Sequence, residues 1–381
     1  MPAFSESEYR QRLTRARQAL ERDGMNGAVC VSPETICYLA GYEGYTHWTE
    51  QALIVGVDDD TPTMVLRDVD QSLAEESTWV TDIRYYHFGV DDPADLIGAI
   101  VYEKGCGNPV LGVEQQTHAL SGAYAGRIAR ALSSGMIRDC SRTMSTLRMR
   151  KSEAELDYVR QAGVMSRAGM TTGLAALRAG ISEIELAAAI ERGLREAGSE
   201  YSAMPTMVGS GPRSAAMHAT PTERVIRMGD PVLFYFAGVR RRYHVTAYRT
   251  AHVGIPSARF QEFYATAEHA LQVLSGKIEV GQSVRTAAAE ASAIVEAHGH
   301  KDYHVARWGY GVGIAYPPVW LEAFDVTEES DDIFERGTVM CLHVCLSSPS
   351  DGFGVMVGSD YILGTDSMEA LDTIGSGLVT A

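Results

Sequence analysis

From residue 152 onward the sequence lays down two helices and then a group of strands, and after Pro256 it lays down the same order again. Ser152 opens the first helix with Glu155 three residues on. This is a capping box, in which each side chain satisfies the other residue's free backbone N–H. Leu156, Val159, Gly163, Met170, Leu174 and Leu177 keep helical spacing, and Gly180 ends the run. A second capping box, Ser182 with Glu185, opens a helix that carries Leu186, Ile190 and Leu194 on one face and closes at Gly198. Segments rich in β-branched and aromatic residues follow over 204–209, 231–238 and 243–253 and read as strands. Past Pro256 the spacing predicts helices over 258–275 and 284–298, then strands near 309–316, 338–346 and 354–363. The repeated order points to an internal duplication, although the two halves share little sequence.

The first 148 residues follow a different plan. Residues 7–23 form an amphipathic pattern with Tyr9, Leu13, Ala16 and Leu20 on one side, and 27–31 is a buried strand. Residues 51–56 and 63–66 read as a hairpin across Asp58-Asp59-Asp60. Helices and strands then alternate to about residue 148. A chain of 381 residues exceeds one ordinary core, so two domains are expected, 1–148 and 149–381.

The formal net charge of -16 repels phosphate backbones and anionic lipid, which argues against nucleic acid and membrane as partners. No apolar run approaches the ~20 residues of a membrane span. The start lacks a basic and apolar leader, so the expected address is cytoplasmic. The six cysteines form no Cys-x-x-Cys pair and read as core thiols. Cys341 and Cys345 flank His343, where a reactive thiol is the other reading.

Four landmarks, in order along the chain, carry a family resemblance. They are Lys151-Ser152-Glu153-Ala154-Glu155-Leu156; His218-Ala219-Thr220-Pro221 followed by Gly229-Asp230; Tyr243 with Tyr248-Arg249-Thr250; and Gly309-Tyr310-Gly311-Val312-Gly313. Together they resemble the creatinase/aminopeptidase P family. The resemblance implies an α+β fold: a pita-bread C-terminal domain of duplicated ααββ halves with a curved antiparallel sheet, preceded by a smaller α/β creatinase-type N-terminal domain. It also implies a homodimer acting on a small molecule.

Many members hold two metal ions with two Asp, one His and two Glu. By resemblance, those positions fall here on Tyr235, Thr246, Tyr310 and His343 and near Gly358, so no carboxylate ligand is kept. No metal and no cofactor is therefore expected. That removes the proline-specific peptidase reading, which relies on metal-activated water.

Metal-free members include creatinase and ectoine hydrolase. Leu39-Ala40-Gly41-Tyr42-Glu43-Gly44, Phe234-Tyr235-Phe236-Ala237-Gly238, Arg242-Tyr243-His244 and Tyr316-Pro317-Pro318 with Trp320 resemble the ectoine-hydrolase segments, with one departure: Tyr235 stands where those sequences have Glu. The implied activity is metal-independent hydrolysis of a C–N bond in a small amidine, guanidine or cyclic amide bearing a carboxylate. A lyase, isomerase or cyclase, or a non-catalytic ligand-binding homologue, fits the same scaffold.

His218 is the first candidate for proton transfer, since an imidazole titrates near neutrality; the alternative is a loop His that only binds substrate or caps structure. His343 reads as a second acid/base, an orienting donor or a satisfied core His. Tyr235 and Tyr310 either donate hydrogen bonds to developing charge or fill space that metal would take. Strand alternation puts His244, Thr246 and Tyr248 on one face, toward the pocket. Trp308, Tyr316 and Trp320 are candidate pocket walls. In the N-terminal domain Tyr45, His47 and Trp48 are expected, by resemblance, to reach the partner subunit's site.

Overall fold

Ser152 and Glu155 exchange hydrogen bonds at the head of the helix Glu153–Ala176, and Ser182 and Glu185 do the same for Glu183–Glu196. The second helix pair is Ala258–Lys277 and Val284–Ala297. The computed structural model describes residues 2–45, 48–132, 136–365, 367–371 and 377–381. It separates into two units, Met1–Arg148 and Met149–Ala381.

The N-terminal unit holds β1 (Gly27–Cys30), β2 (Ala52–Gly56), β3 (Thr63–Arg67), β4 (Asp82–Tyr86), β5 (Val110–Val113) and β6 (Met136–Asp139). They form one mixed sheet in the order β4-β3-β2-β1-β5-β6. The β1–β2 and β2–β3 pairs are antiparallel and the rest parallel. Val29, Ile54, Val65 and Leu111 of the strands pack on Ile97, Ile100 and Ile128 of the helices.

The C-terminal unit holds β7 (Met207–Ser210), β8 (Pro231–Arg240), β9 (Tyr243–His252), β10 (Gly309–Tyr316), β11 (Val319–Val326), β12 (Val339–Ser348), β13 (Phe353–Leu363) and β14 (Met368–Ala370). The sheet runs β11-β10-β12-β13-β9-β8-β7, with β14 on β13, and every pair is antiparallel. A further bridge from Ile314 to Tyr243 ties β10 of the second half to β9 of the first. Strand β11 is an addition to the sequence reading. Its inward positions Trp320, Glu322, Phe324 and Val326 do alternate, but one is charged and the strand starts right after Pro317-Pro318.

One face of this sheet carries the helices. Phe234 and Phe236 of β8 and Ala247 and Ala251 of β9 pack with Met170, Leu186 and Ile190. Met340, Leu342 and Val344 of β12 and Val355 and Val357 of β13 pack with Phe260, Phe263, Leu274 and Val295. Side chains alternate along a strand, so the opposite face receives Tyr235, Thr246, Tyr248, His343, Gly358 and Asp360. Burying each large apolar side chain is worth about 1.5–3 kcal/mol, and a one-residue slip would turn every one of them outward. The helix-facing core therefore fixes what the other face presents. Among the described residues no helix is long and apolar enough to cross a membrane.

Candidate active site

The register lines up one residue from each of four strands. His343 lies opposite Gly358, Gly358 opposite Tyr248, and Tyr248 opposite Tyr235. Directly opposed residues are about 5 Å apart, so their rings stack. The Tyr235 and Tyr248 centroids are 4.4 Å apart at 28°. Gly358 offers no side chain, and Tyr248 stacks on His343 across it at 5.5 Å and 22°. A Cβ on Gly358 would come within 2.8 Å of the His343 Cβ. His218 extends the column, with its ring 5.9 Å from Tyr235 at 28°.

Tyr310, from β10, is the hub beneath the column. Its hydroxyl accepts the Trp320 indole N–H at 3.0 Å, lies 3.1 Å from the Tyr235 hydroxyl, and is hydrogen-bonded to the Tyr248 hydroxyl. A phenol has one hydrogen to give and two lone pairs to receive. With the indole taking one lone pair, Tyr310 donates to one of its two phenol neighbours and accepts from the other. Nothing is left over on Tyr310, whereas one of Tyr235 and Tyr248 keeps its O–H unspent. This arrangement favours Tyr310 as the group that holds the other phenols in place. Burial pushes the Tyr235 and Tyr310 phenols above their ordinary pKa, so both stay protonated donors at neutral pH.

His343 is buried, and burial is the largest of the causes that hold its pKa down to about 3, so the imidazole is neutral. Its Nδ1 is 3.3 Å from the Cys345 thiol, which burial pushes up to about 12 and keeps protonated. Sulfur is a poor acceptor, so the thiol donates to Nδ1 and the ring proton sits on Nε2. Of the open readings for His343, this geometry favours the orienting N–H donor.

Below Thr246 lies a carboxylate that the sequence reading passes over. Asp360 accepts the Thr246 backbone N–H at 2.6 Å and its hydroxyl, and the Cys341 thiol adds a third hydrogen bond. It is fully buried, and burial raises its pKa to about 7. The native state then binds its proton more tightly than the unfolded chain does. Its contribution falls as pH rises from about 4 to about 7 and stays flat above that. Asp360→Asn is expected to match the wild type near pH 4 and to be more stable than it at pH 8. Denaturant midpoints across that range check this, and a difference independent of pH would sink it.

His218 is exposed and sits on the loop between β7 and β8. Both roots of that loop are tied to one buried carboxylate. Glu183 accepts the backbone N–H and hydroxyl of Ser210, the backbone N–H and hydroxyl of Thr222, and the Arg213 guanidinium. Burial raises the Glu183 pKa, but these hydrogen bonds outweigh it and leave the group below its ordinary value. The sequence reading passes over Glu183, because its partners come from a later loop.

The other candidate residues sit as follows. His244 is fully buried, with Nδ1 donating to the Arg242 carbonyl at 2.8 Å and Nε2 accepting the Ala203 N–H at 3.0 Å. Both nitrogens are spent on backbone, which corrects its substrate-binding assignment. Trp308 packs in the helix-side core and stacks on His304, Tyr316 lies under the Arg242 guanidinium, and Trp320 is fully buried beside Tyr235. In the N-terminal unit Tyr45 and Trp48 are exposed, and His47 lies outside the described residues.

Two metal ions need anionic oxygen ligands to offset their dehydration. Here the five positions supply two protonated phenols, a neutral imidazole, a threonine hydroxyl spent on Asp360, and a glycine. Among the described residues, no group of three or more His, Cys, Asp and Glu side chains is arranged to hold a metal ion. These donors do not fit a dinuclear centre.

The geometry has known counterparts. Residues 12–150 match the creatinase/prolidase N-terminal domain, and residues 157–364 match metallopeptidase family M24. An uncharacterized hydrolase/peptidase of Sinorhizobium fredii is 26% identical over 330 residues, 84% of each chain. The ectoine hydrolase of Halomonas elongata is 26% identical over 389 residues, covering 97% of this chain and 96% of that one. In fold, the Xaa-Pro dipeptidase from Bacillus anthracis matches with a TM-score of 0.87 at 23% identity, over 98% of this chain and 100% of that one. With both of its units matched in order and the duplicated sheet in place, this chain belongs to family M24, the creatinase/aminopeptidase P family.

Proposed function

We propose that this protein is a metal-independent hydrolase that opens a C–N bond in a small amidine, guanidine or cyclic amide carrying a carboxylate. The observation behind it is a sheet face that offers neutral hydrogen-bond donors beside one exposed imidazole, His218. His218 removes a proton from water as the water oxygen bonds to the carbon of the C–N bond. The His343 Nε2–H and the unspent phenol O–H of Tyr235 or Tyr248 hold the charge that develops on the substrate. His218 then returns the proton to nitrogen as the C–N bond breaks, so one water is added overall. The resemblance adds a homodimer to this reading, and the expected address is cytoplasmic. The match to an ectoine hydrolase along nearly the whole chain supports the substrate class.

Chelator-treated protein is expected to add the mass of one water to at least one member of a panel of ectoine, hydroxyectoine, creatine, cyclic amidines and lactams, read by liquid chromatography–mass spectrometry. Activity that appears only with added divalent metal, or that cleaves X–Pro dipeptides, would overturn the proposal. One observation favours a second reading: Tyr235, a donor, stands where a general-base Glu is expected from the ectoine-hydrolase resemblance. A lyase, isomerase or cyclase needs no water activation, and its products would show no gain of water.

A further inference from the structure

The exposed imidazole of the ring column sits in a loop, yet the residues beside it are pinned. After β7 the chain makes a short 3₁₀ helix, Gly211–Ala215, and the Ala216 N–H donates to the Arg213 carbonyl at 3.0 Å. A second turn follows at once. The Ala219 N–H donates to the Ala216 carbonyl at 3.0 Å, with Met217 and His218 at the two central positions. His218 is exposed and Ala219 is buried. Ala219 packs on the bare backbone of Gly209 in β7. A Cβ on Gly209 would come within 2.9 Å of the Ala219 Cβ and 2.7 Å of the Arg213 carbonyl oxygen, closer than side chains pack. Met207 pairs with Tyr235 and Gly209 with Leu233, so Gly209 opens on the face of the sheet that holds Tyr235. With Ala219 seated there, the His218 ring lies 5.9 Å from the Tyr235 ring.

Arg213 ties the end of this turn to the scaffold. Its Nε–H donates to both oxygens of the buried Glu183, at 3.2 and 3.1 Å, and its Nη2–H to the Thr220 carbonyl at 2.6 Å. Glu183 holds the two roots, Ser210 and Thr222, through their own N–H groups. Arg213 lies between those roots and carries the same anchor across to Thr220, two residues past His218. A guanidinium can do this because its donors form a rigid fork, so one edge faces the carboxylate while another N–H reaches the carbonyl. A Lys ammonium matches the charge of Glu183 but is a compact group without the fork.

We propose that Arg213 is a positioning residue for His218: by joining Glu183 to Thr220 it keeps Ala219 seated on Gly209 and the His218 ring beside Tyr235. The inference rests on the reading of His218 as the proton carrier. It supplies what that reading needs, a fixed place for a side chain that is exposed and on a loop.

The test uses the full-length protein and Arg213→Lys, which keeps a cation beside Glu183. Amide hydrogen exchange reads the turn directly. Exchange of the Ala219 N–H should speed up about tenfold or more in the variant, while Ser210 and Thr222, whose N–H groups Glu183 still accepts, stay within about twofold of wild type. On the compound of the ectoine and creatine panel that the wild type hydrolyses, turnover should fall about 10²-fold with KM within about twofold, the cost of misplacing a reacting group by about 1 Å. In a His218→Ala background the same substitution should cost nothing further, because the group it positions is already gone. Unchanged Ala219 exchange would overturn the proposal. So would equal loosening at Ser210 and Thr222, which marks loss of the whole loop, or a fully additive loss in the double variant. The exchange readout needs no turnover, so an inactive protein whose Ala219 loosens in this way would discard the hydrolase reading and keep Arg213 as the anchor that places His218.

Discussion

Lys151→Met is expected to destabilise the C-terminal unit by about 3–5 kcal/mol, because it strands a buried charge. Lys151 and Glu322 are paired with side chains 1% and 3% exposed. The ammonium reaches one carboxylate oxygen, while the other, Oε1, has no hydrogen-bond partner. The pair lies against the glycine face of β10. A Cβ on Gly313 would collide with the Glu322 carboxylate, and one on Gly311 would come within 3.2 Å of the Glu322 Cβ. Alternate glycines thus make room for the ion pair on one side of the strand, and Tyr310 stands on the other. Removing the ammonium alone leaves a buried carboxylate without its countercharge. Replacing both residues, Lys151→Met with Glu322→Leu, should recover most of the loss, since two apolar side chains carry no desolvation cost. Equilibrium urea unfolding, followed by the fluorescence of Trp308 and Trp320, measures both. A single variant within about 1 kcal/mol of wild type would show that the pair is hydrated or relaxes freely.

What a sequence reader can see here depends on how far apart the cooperating residues lie. Ser152 with Glu155 and Ser182 with Glu185 are three residues apart, and both caps stand where local chemistry puts them. Alternation along β9 puts Thr246 and Tyr248 on one face, because that rule needs only the strand itself, whereas His343 is placed only through the family resemblance. The Lys151–Glu322 pair spans 171 residues and the Thr246–Asp360 bonds span 114, and no local pattern links either. Strand β11 is passed over for a related reason: the inward Glu322 breaks its apolar alternation, and Lys151, which makes that position tolerable, is remote. The assignment of His244 fails differently. Its face is right, but only the folded chain shows the Ala203 N–H and the Arg242 carbonyl taking both nitrogens. Tyr310 follows the same logic, since its position is legible and its exhausted hydrogen-bonding capacity is not. Asp360 was within reach of the period-two rule, two residues beyond Gly358 on the same face.

His218→Ala is expected to lower turnover by roughly 10²–10⁴-fold, the range for losing a positioned general acid–base. Stability should stay within about 0.5 kcal/mol of wild type, as for an exposed residue outside the core. Four rings form the column, two phenols and two imidazoles, and the His343 imidazole is kept neutral by burial. Burial holds the His343 pKa down to about 3, so the ring stays neutral at neutral pH and serves as a donor and not as the proton carrier. In the proposed reaction, proton transfer is assigned to the exposed His218, on a loop whose roots Ser210 and Thr222 are bound by the Glu183 carboxylate. Added imidazole should restore part of the rate in the variant. A wild-type rate in His218→Ala would move the proton to water or to a phenol. The unspent hydroxyl of Tyr235 or Tyr248 would then be the group to remove next, while Tyr310→Phe would disturb the whole hydrogen-bonded set and report only on positioning.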